Sequence, residues 1–332
     1  YDYEEYEDPS PWYGEAFTRV VVQSGITGIG AYAFYDSANL TSVTLPNTVT
    51  TIGYSAFSYC PALTSFTVPD SVTTVGDYVF EEDEALTSVQ LGAGLNNEDT
   101  DYDYLFEGAY ALASVTVAAG HPTLYTENGI LYNKAKTALI FCPEAKTGAV
   151  TMPSTVVTIF DFAFENCAQI TGVTFSNALK SIGWGSFRGC ESLTNLNIPN
   201  TVNTIADYAF RNCTNLATVA IGSGLTEFYN SIFLGCEELT NVTFSAANPN
   251  YASNDGAVYD KGKANLLFCP NGKTAIAFPA TVTAIGEYAF EECAQLTNVT
   301  LPNSVVSVGD GAFNDCSKLQ TVNFGTGLAE LG

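Results

Sequence analysis

The sequence predicts an α/β repeat solenoid: a right-handed superhelix with a parallel β-sheet on its concave face, short helical or 3-10 segments on the other, and two inserted β-hairpins. Three observations predict it. A block of residues returns at a spacing of 23, a phenylalanine marks each copy, and a strand-like alternation of apolar and polar residues precedes the markers. A fixed period of this length means units that cannot bury their own apolar face and must stack.

The repeat is plain to the eye. Leu40 to Cys60 reads LTSVTLPNTVTTIGYSAFSYC and returns from Leu63 as LTSFTVPDSVTTVGDYVFEED. The markers are Phe34, Phe57, Phe80, Phe106, Phe164, Phe187, Phe210, Phe233, Phe290 and Phe313, and two long jumps between them each hide one further copy and an insert. Within a copy, Leu40, Val43 and Leu45 make a strand with one buried face, Thr44 alternating between the last two, and Pro46 ends it. Ile52, Gly53, Phe57, Cys60 and Leu63 follow at a spacing that predicts one or two helical turns. Counting strands from 17–22 to 319–324 gives 13 rungs. At roughly 4.8 Å per parallel strand the sheet would run about 60 Å.

A longer period overlies the short one: Phe34 to Phe164 and Phe80 to Phe210 are both 130 residues apart, so the chain is a duplicated cassette. Each cassette closes on an insert, at about 120–146 and 247–273. In the first, Asn128-Gly129 is a turn dipeptide, and Ile130-Leu131-Tyr132 and Leu139-Ile140-Phe141 read as paired strands about the Lys134-Ala135-Lys136 turn. Asp255-Gly256 marks the equivalent turn in the second. Residues 1–16 form an acidic, aromatic lead-in whose Trp12 and Tyr13 are expected to cap the first rung, and 17–332 a single solenoid.

The I-G-x-x-A-F-x-x-C-x-x-L segment, the L-P-x-x-V strand exit and the D/N-G-x-x-Y and F-C-P inserts resemble the BspA-like (Treponema-type) leucine-rich repeats of bacterial and some protist surface proteins, over about residues 17 to 332. That resemblance implies an exported, extracellular or cell-surface protein of anaerobic bacteria, with adhesion or protein binding as its work. Two departures stand out. The copy LGAGLNNEDTDYDYLFEGA runs three residues long and lacks the cysteine, and Gly332 falls where the next A-F segment would begin. A chain that opens at Tyr1 and stops mid-repeat is expected to be a trimmed segment of a longer protein.

Charge narrows the function classes. Against 35 Asp and Glu stand 11 Lys and Arg, a formal charge of -24, which repels nucleic acid and anionic membrane surfaces. No apolar run of 18 residues exists to insert in a membrane. One histidine, His121, leaves no multi-His metal site and no second partner for a nucleophile. Its counterpart in the second insert is Asn248, which marks it as a turn residue before Pro122. The sequence therefore carries no catalytic residue, no metal site and no cofactor, and is expected to be monomeric.

Seven of the nine cysteines lie three residues after a marker phenylalanine: Cys60, Cys167, Cys190, Cys213, Cys236, Cys293 and Cys316. Cys142 and Cys269 are equivalent to each other in the two inserts. No C-x-x-C pair exists, and Ser37, Asp83 and Ala109 take the same place in other copies, so a column of buried, reduced thiols is expected. Residues 96–103, NNEDTDYD, have the oxygen-rich character of a calcium loop without the spacing or glycine of an EF-hand.

Two features could bind a partner. The outward strand position carries Thr44, Thr67, Gln90, Thr116, Thr151, Thr174, Asn197, Thr243, Thr300 and Asn323, with Val21, Ala220 and Ala277 completing the column; none is charged. This neutral hydroxyl and amide ribbon suits hydrogen bonding along an extended peptide or glycan, although threonine is also simply a good strand former. The inserts and their exits hold six of the eleven cations, Lys134, Lys136, Lys146, Lys261, Lys263 and Lys273, so Lys134, Lys136, Lys261 and Lys263 are expected to project as basic tips from an acidic body. The reading that follows is a non-enzymatic recognition module for a host protein or polysaccharide. Its alternative is a structural spacer or targeting appendage of a larger secreted protein.

Overall fold

Each copy of the repeat folds as one turn of a β-solenoid, and about 13 such turns follow one another along the chain. The computed structural model describes residues 10–95 and 102–332, so the lead-in carboxylates from Asp2 to Asp8 and most of the 96–103 loop lie outside the described residues. The chain divides into two compact units, Tyr1–Lys146 and Thr147–Gly332, and the boundary falls at the exit of the first insert. Among the described residues no helix is long and apolar enough to cross a membrane.

In the first unit Arg19–Val21 pairs in parallel with Ser42–Thr44, and Ser65–Thr67, Ser88–Leu91 and Ser114–Val117 form a second parallel set. Register follows the repeat: Phe66, Val89 and Val115 are opposite one another and buried, while Thr67, Gln90 and Thr116 are opposite one another and exposed. A period of two sends alternate side chains to opposite faces, and only one face has a core to enter. The second unit repeats this with Gly148–Thr151 against Ile170–Thr174, Asn195–Ile198 against Thr218–Ile221 and Asn241–Phe244, and Asn298–Thr300 against Thr321–Asn323.

A second side of each turn carries a ladder of two-residue strands, too short for alternation to announce. Gly28–Ile29, Thr51–Ile52 and Thr74–Val75 stack in one unit, and Thr158–Ile159, Ser181–Ile182 and Thr204–Ile205 in the other. The glycine that follows is there for space. A Cβ on Gly53 would stand 2.5 Å from the Ala31 nitrogen.

The third side corrects the sequence expectation of helical segments. Among the described residues the only helices are one α-helical turn, Tyr102–Leu105, and one 3-10 turn, Asn230–Phe233; elsewhere the segment holding the marker phenylalanine is a run of turns. The cause lies in where its N–H groups go. Those of Tyr32, Phe34 and Asp36 donate to Tyr54, Ala56 and Ser58 on the next rung at 2.9, 2.8 and 3.0 Å, while those of Ala33 and Tyr35 turn back to Gly30 and Tyr32. Tyr32 and Asp36 sit at φ 54° and 55°, a left-handed conformation that no α-helix tolerates. The fold is therefore one of strands and turns rather than an α/β arrangement.

Inside, the marker phenylalanines stack almost parallel. Phe34, Phe57, Phe80 and Phe106 have centroids 5.3, 6.3 and 5.7 Å apart, and Phe164, Phe187, Phe210 and Phe233 are 4.6, 5.2 and 5.7 Å apart. Six of these eight rings are fully buried. Trp12 lies against the first stack, its ring 5.9 Å from Phe34 and its Nε1 donating to the Ala33 carbonyl at 2.7 Å, while Tyr13 is exposed.

Each insert is a three-stranded antiparallel meander, one strand more than the hairpin read from sequence. Leu124–Glu127, Ile130–Asn133 and Ala138–Phe141 form the first, and Tyr251–Asn254, Ala257–Asp260 and Asn265–Phe268 the second. The added strand joins through Asn128-Gly129 and Asp255-Gly256, both residues of each pair at positive φ, the two-residue turn that matches strand twist.

Candidate functional site

The outward strand positions fall in register within each set of paired strands. Thr44 lies beside Val21, Thr67 beside Gln90 and Gln90 beside Thr116, Thr151 beside Thr174, Asn197 beside Ala220 and Ala220 beside Thr243, and Thr300 beside Asn323, all in register and all exposed. Ala277 is exposed but belongs to no strand. In the second unit the column borders two shallow grooves at the strand exit. One, of about 520 Å³, is lined by Thr174, Asn177, Asn197 and Asn200; the next, of about 290 Å³, holds Asn197, Ala220, Thr243 and Ser245.

The structure separates two kinds of threonine that look alike in sequence. Thr41, Thr50, Thr73 and Thr87 turn their hydroxyls onto the carbonyls of Thr18, Thr27, Thr50 and Thr64 in the preceding rung, at 2.9 to 3.3 Å. They stitch the solenoid. The column residues do so weakly or not at all: Thr116 and Thr243 reach carbonyls at 3.5 and 3.4 Å, and Asn323 reaches Thr300 at 3.3 Å. A hydroxyl already donating inside the protein has less to offer a ligand, so the column is the better supplied face.

The lysines of the inserts are placed differently from free tips. Lys146 and Lys273, which are equivalent, donate back to the turn carbonyls of Asn128 and Asp255 at 2.5 and 2.6 Å, and Lys273 also pairs with the Asp255 carboxylate at 3.3 Å. Lys136 pairs with Glu127 at 2.9 Å and lies 3.9 Å over the Tyr125 ring, and the Glu127 bond raises its pKa. Lys261 donates to the Ala246 and Asn248 carbonyls at 2.9 and 2.5 Å. Lys134 is exposed and Lys263 half-buried.

His121 is buried and does the work of a turn cap. Its Nδ1 accepts the Leu124 N–H at 3.1 Å, as the Asn248 Oδ1 accepts the Tyr251 N–H at 2.9 Å in the second insert. An accepting Nδ1 requires the neutral ring, and burial first of all lowers its pKa.

None of the nine cysteines forms a disulfide, and all but Cys316 are fully buried. Their thiols have a role the sequence did not announce. Cys60, Cys190, Cys213, Cys236 and Cys316 donate to the carbonyls of Phe34, Phe164, Phe187, Phe210 and Phe290, each 26 residues earlier, at 3.0 to 3.3 Å. Each thiol thus ties its rung to the one before. Desolvation raises the Cys60 and Cys213 thiols well above their usual value, which keeps them protonated donors. Among the described residues no three His, Cys, Asp or Glu side chains converge as a metal site would require.

A solenoid built of strand, turn and stacked phenylalanine, with an exposed uncharged ribbon, is a leucine-rich repeat protein. The chain belongs to the BspA-type leucine-rich repeat family: the family's repeat region matches in six copies over residues 10–128, 139–254 and 265–332. Proteins of this family are generally protein-interaction scaffolds. Among solved structures, the chain is similar to a leucine-rich repeat protein from Eubacterium ventriosum at 23% identity, covering 97% of this chain and 83% of that one, with a TM-score of 0.58. It is also similar to a leucine-rich repeat protein from Bacteroides ovatus (21% identity, 95% and 74% covered, TM-score 0.47) and to a leucine rich cell surface protein from Faecalibacterium prausnitzii (23% identity, 94% and 80% covered, TM-score 0.46). Among curated proteins none matches the chain.

Proposed function

We propose that this chain is a non-enzymatic, exported recognition module of a bacterial cell surface, a single solenoid over 17–332 that works in adhesion and needs no cofactor. The observation that carries it is a set of exposed, uncharged strand positions in register within each unit: Thr67, Gln90 and Thr116 in the first, and Asn197, Ala220 and Thr243 in the second. A ribbon of donors and acceptors at a regular strand spacing presents hydrogen bonds along a line, which an extended peptide or glycan segment can follow. Its neutrality lets it do so without the desolvation cost of a charge. The exposed Lys134 and half-buried Lys263 would add electrostatic steering at the edge rather than affinity.

The test is retention of ligands from a panel of host proteins and polysaccharides by the purified chain, repeated with Thr67→Lys, Thr116→Lys and Thr174→Lys together. Retention that the triple variant loses supports the reading. No retention by the parent chain leaves the spacer reading in its place, and retention that the variant keeps moves the binding to another face.

A further inference from the structure

Beside the marker phenylalanines, on the turn side, runs a second column of rings that faces solvent. Tyr32, Tyr54, Tyr78 and Tyr104 stand with centroids 5.4 Å apart at every step, and Tyr54 and Tyr104 remain about two-fifths exposed, at 42% and 38%. The second cassette rebuilds the column exactly 130 residues on, as Phe162, Trp184 and Tyr208, with centroids 4.8 and 5.3 Å apart. The identity of the ring changes from Tyr to Phe and from Tyr to Trp, while its aromatic character does not.

The fold does not demand these rings. Tyr32, Tyr78, Phe162 and Tyr208 all sit at left-handed φ, and at the same repeat position Gly311 serves, at φ 58°, in a rung where Gly309 and Asp310 precede it and neither position of the column carries a ring. A glycine takes that conformation without the steric cost that a side chain meets there.

The second cassette shows which chemistry suits the face. Arg211 lays its guanidinium over the Tyr208 ring, 5.2 Å from the centroid, and Arg188 on the neighbouring rung pairs with Glu165 at 3.1 Å. In the first cassette the position of Arg211 is Glu81 and that of Arg188 is Ser58. No Lys, Arg or His occurs anywhere between Gly30 and Tyr110. The surroundings are acidic instead. The Tyr78 phenol is held above its usual pKa by loss of water and then by Glu107, Tyr104, Tyr54 and Glu81, and that of exposed Tyr110 by Glu82, by loss of water, and by Glu144, Glu107 and Glu84.

We propose that the Tyr32–Tyr54–Tyr78–Tyr104 column, flanked by Glu81 and Glu107, is a docking surface for an arginine-rich segment of a partner polypeptide, which supplies the cation that Arg211 supplies internally in the second cassette. Guanidinium groups stack on aromatic faces better than ammonium groups and carry their charge to the carboxylates alongside. The column lies on the turn side of the solenoid and the neutral ribbon on the strand side, so the two surfaces are separate.

The experiment is fluorescence anisotropy of the whole chain with labelled octapeptides, (Gly-Arg)4, (Gly-Lys)4 and (Gly-Glu)4, and with unlabelled cellohexaose as competitor. The arginine peptide should bind, the lysine peptide more weakly, and the acidic peptide and the sugar not at all. Tyr54→Ser, Tyr78→Ser and Tyr104→Ser together should weaken arginine-peptide binding about 10- to 100-fold, the loss of three ring contacts. Glu81→Arg, a single surface change, should fill the face from within as Arg211 does and abolish binding, whereas Glu191→Arg, which alters net charge equally on an exposed site of the other cassette, should leave it nearly unchanged. The proposal fails if no basic peptide binds, if the tyrosine variant binds as the parent does, if the two charge variants weaken binding alike, or if cellohexaose competes.

Discussion

Asp83 stands in the rung after Cys60, at the position where other rungs carry a thiol, and its Oδ1 accepts the Cys60 backbone N–H at 2.7 Å. The carboxyl is fully buried, and its other oxygen, Oδ2, has no partner. A thiol at this position would point at the Phe57 carbonyl, as Cys190, Cys213 and Cys236 point at theirs. Only a protonated carboxyl could take over that donation. Burial accordingly raises the Asp83 pKa well above its usual value, with the Cys60 N–H working the other way.

An acid whose native pKa is raised binds its proton more tightly folded than unfolded. Its stabilising share is therefore full below the unfolded value, about 3.9, and is lost as pH rises through the higher native value. Asp83→Cys removes the buried acid and restores the thiol donor. Urea unfolding should find the variant more stable than the parent at pH 7 by about 1 to 3 kcal/mol, with the gap closing towards pH 4. A gap independent of pH would mean that Asp83 is ionised in the native state.

His121 carries the opposite dependence. Because its native pKa is lowered, the unfolded chain binds the proton first as pH falls, and stability is complete above about 6.5 and erodes below it. Replacing it with asparagine, the residue of the second insert, keeps an acceptor for the Leu124 N–H and removes the titration. His121→Asn should flatten the stability profile between pH 7 and 5, whereas His121→Ala should cost about 1 to 3 kcal/mol at pH 7 by orphaning a buried donor, a cost that shrinks below about pH 6.5 as the parent loses the share its neutral histidine supplies.

Phe187 is fully buried between Phe164 and Phe210, 4.6 and 5.2 Å away, with Phe175 edge-on at 5.9 Å. Its replacement by alanine should cost about 3 to 5 kcal/mol. Phe313, half-buried and stacked on Phe290 at 4.9 Å, has ring neighbours on one side only. Phe313→Ala should cost visibly less, and equal losses at the two positions would contradict a stack with an open end.

Thiol reactivity should follow burial. Cys316 is the half-buried member of the series, its pKa lifted to about 11 chiefly by burial, so under native conditions it should react first and slowly. The other eight thiols should wait for unfolding, and nine should be counted in denaturant. Several rapid equivalents before unfolding would place thiols outside the rungs.

Much of this protein was legible in its sequence because a solenoid translates periodicity directly into space. Leu40, Leu63 and Leu86 recur at 23 residues, so they stack at one rung spacing, and the alternation of Phe66 with Thr67 decides which faces the core. The order of rungs, the strand register, the buried phenylalanines and the exposed column all follow from that one repeat. What needed tertiary structure is what depends on the neighbouring rung. Phe57, Cys60 and Leu63 have a helical spacing, yet their segment is a run of turns because alternate N–H groups are claimed by the rung beside it. Thr41 and Thr44 look equivalent in sequence, and only contact with the preceding rung makes the first a stitch and leaves the second on the open face. Lys146 and Lys273 read as surface charge, and their ammonium groups instead close the turns of their own inserts. A sequence states which side a residue faces; which of several willing partners it meets is settled only when the rungs close on one another.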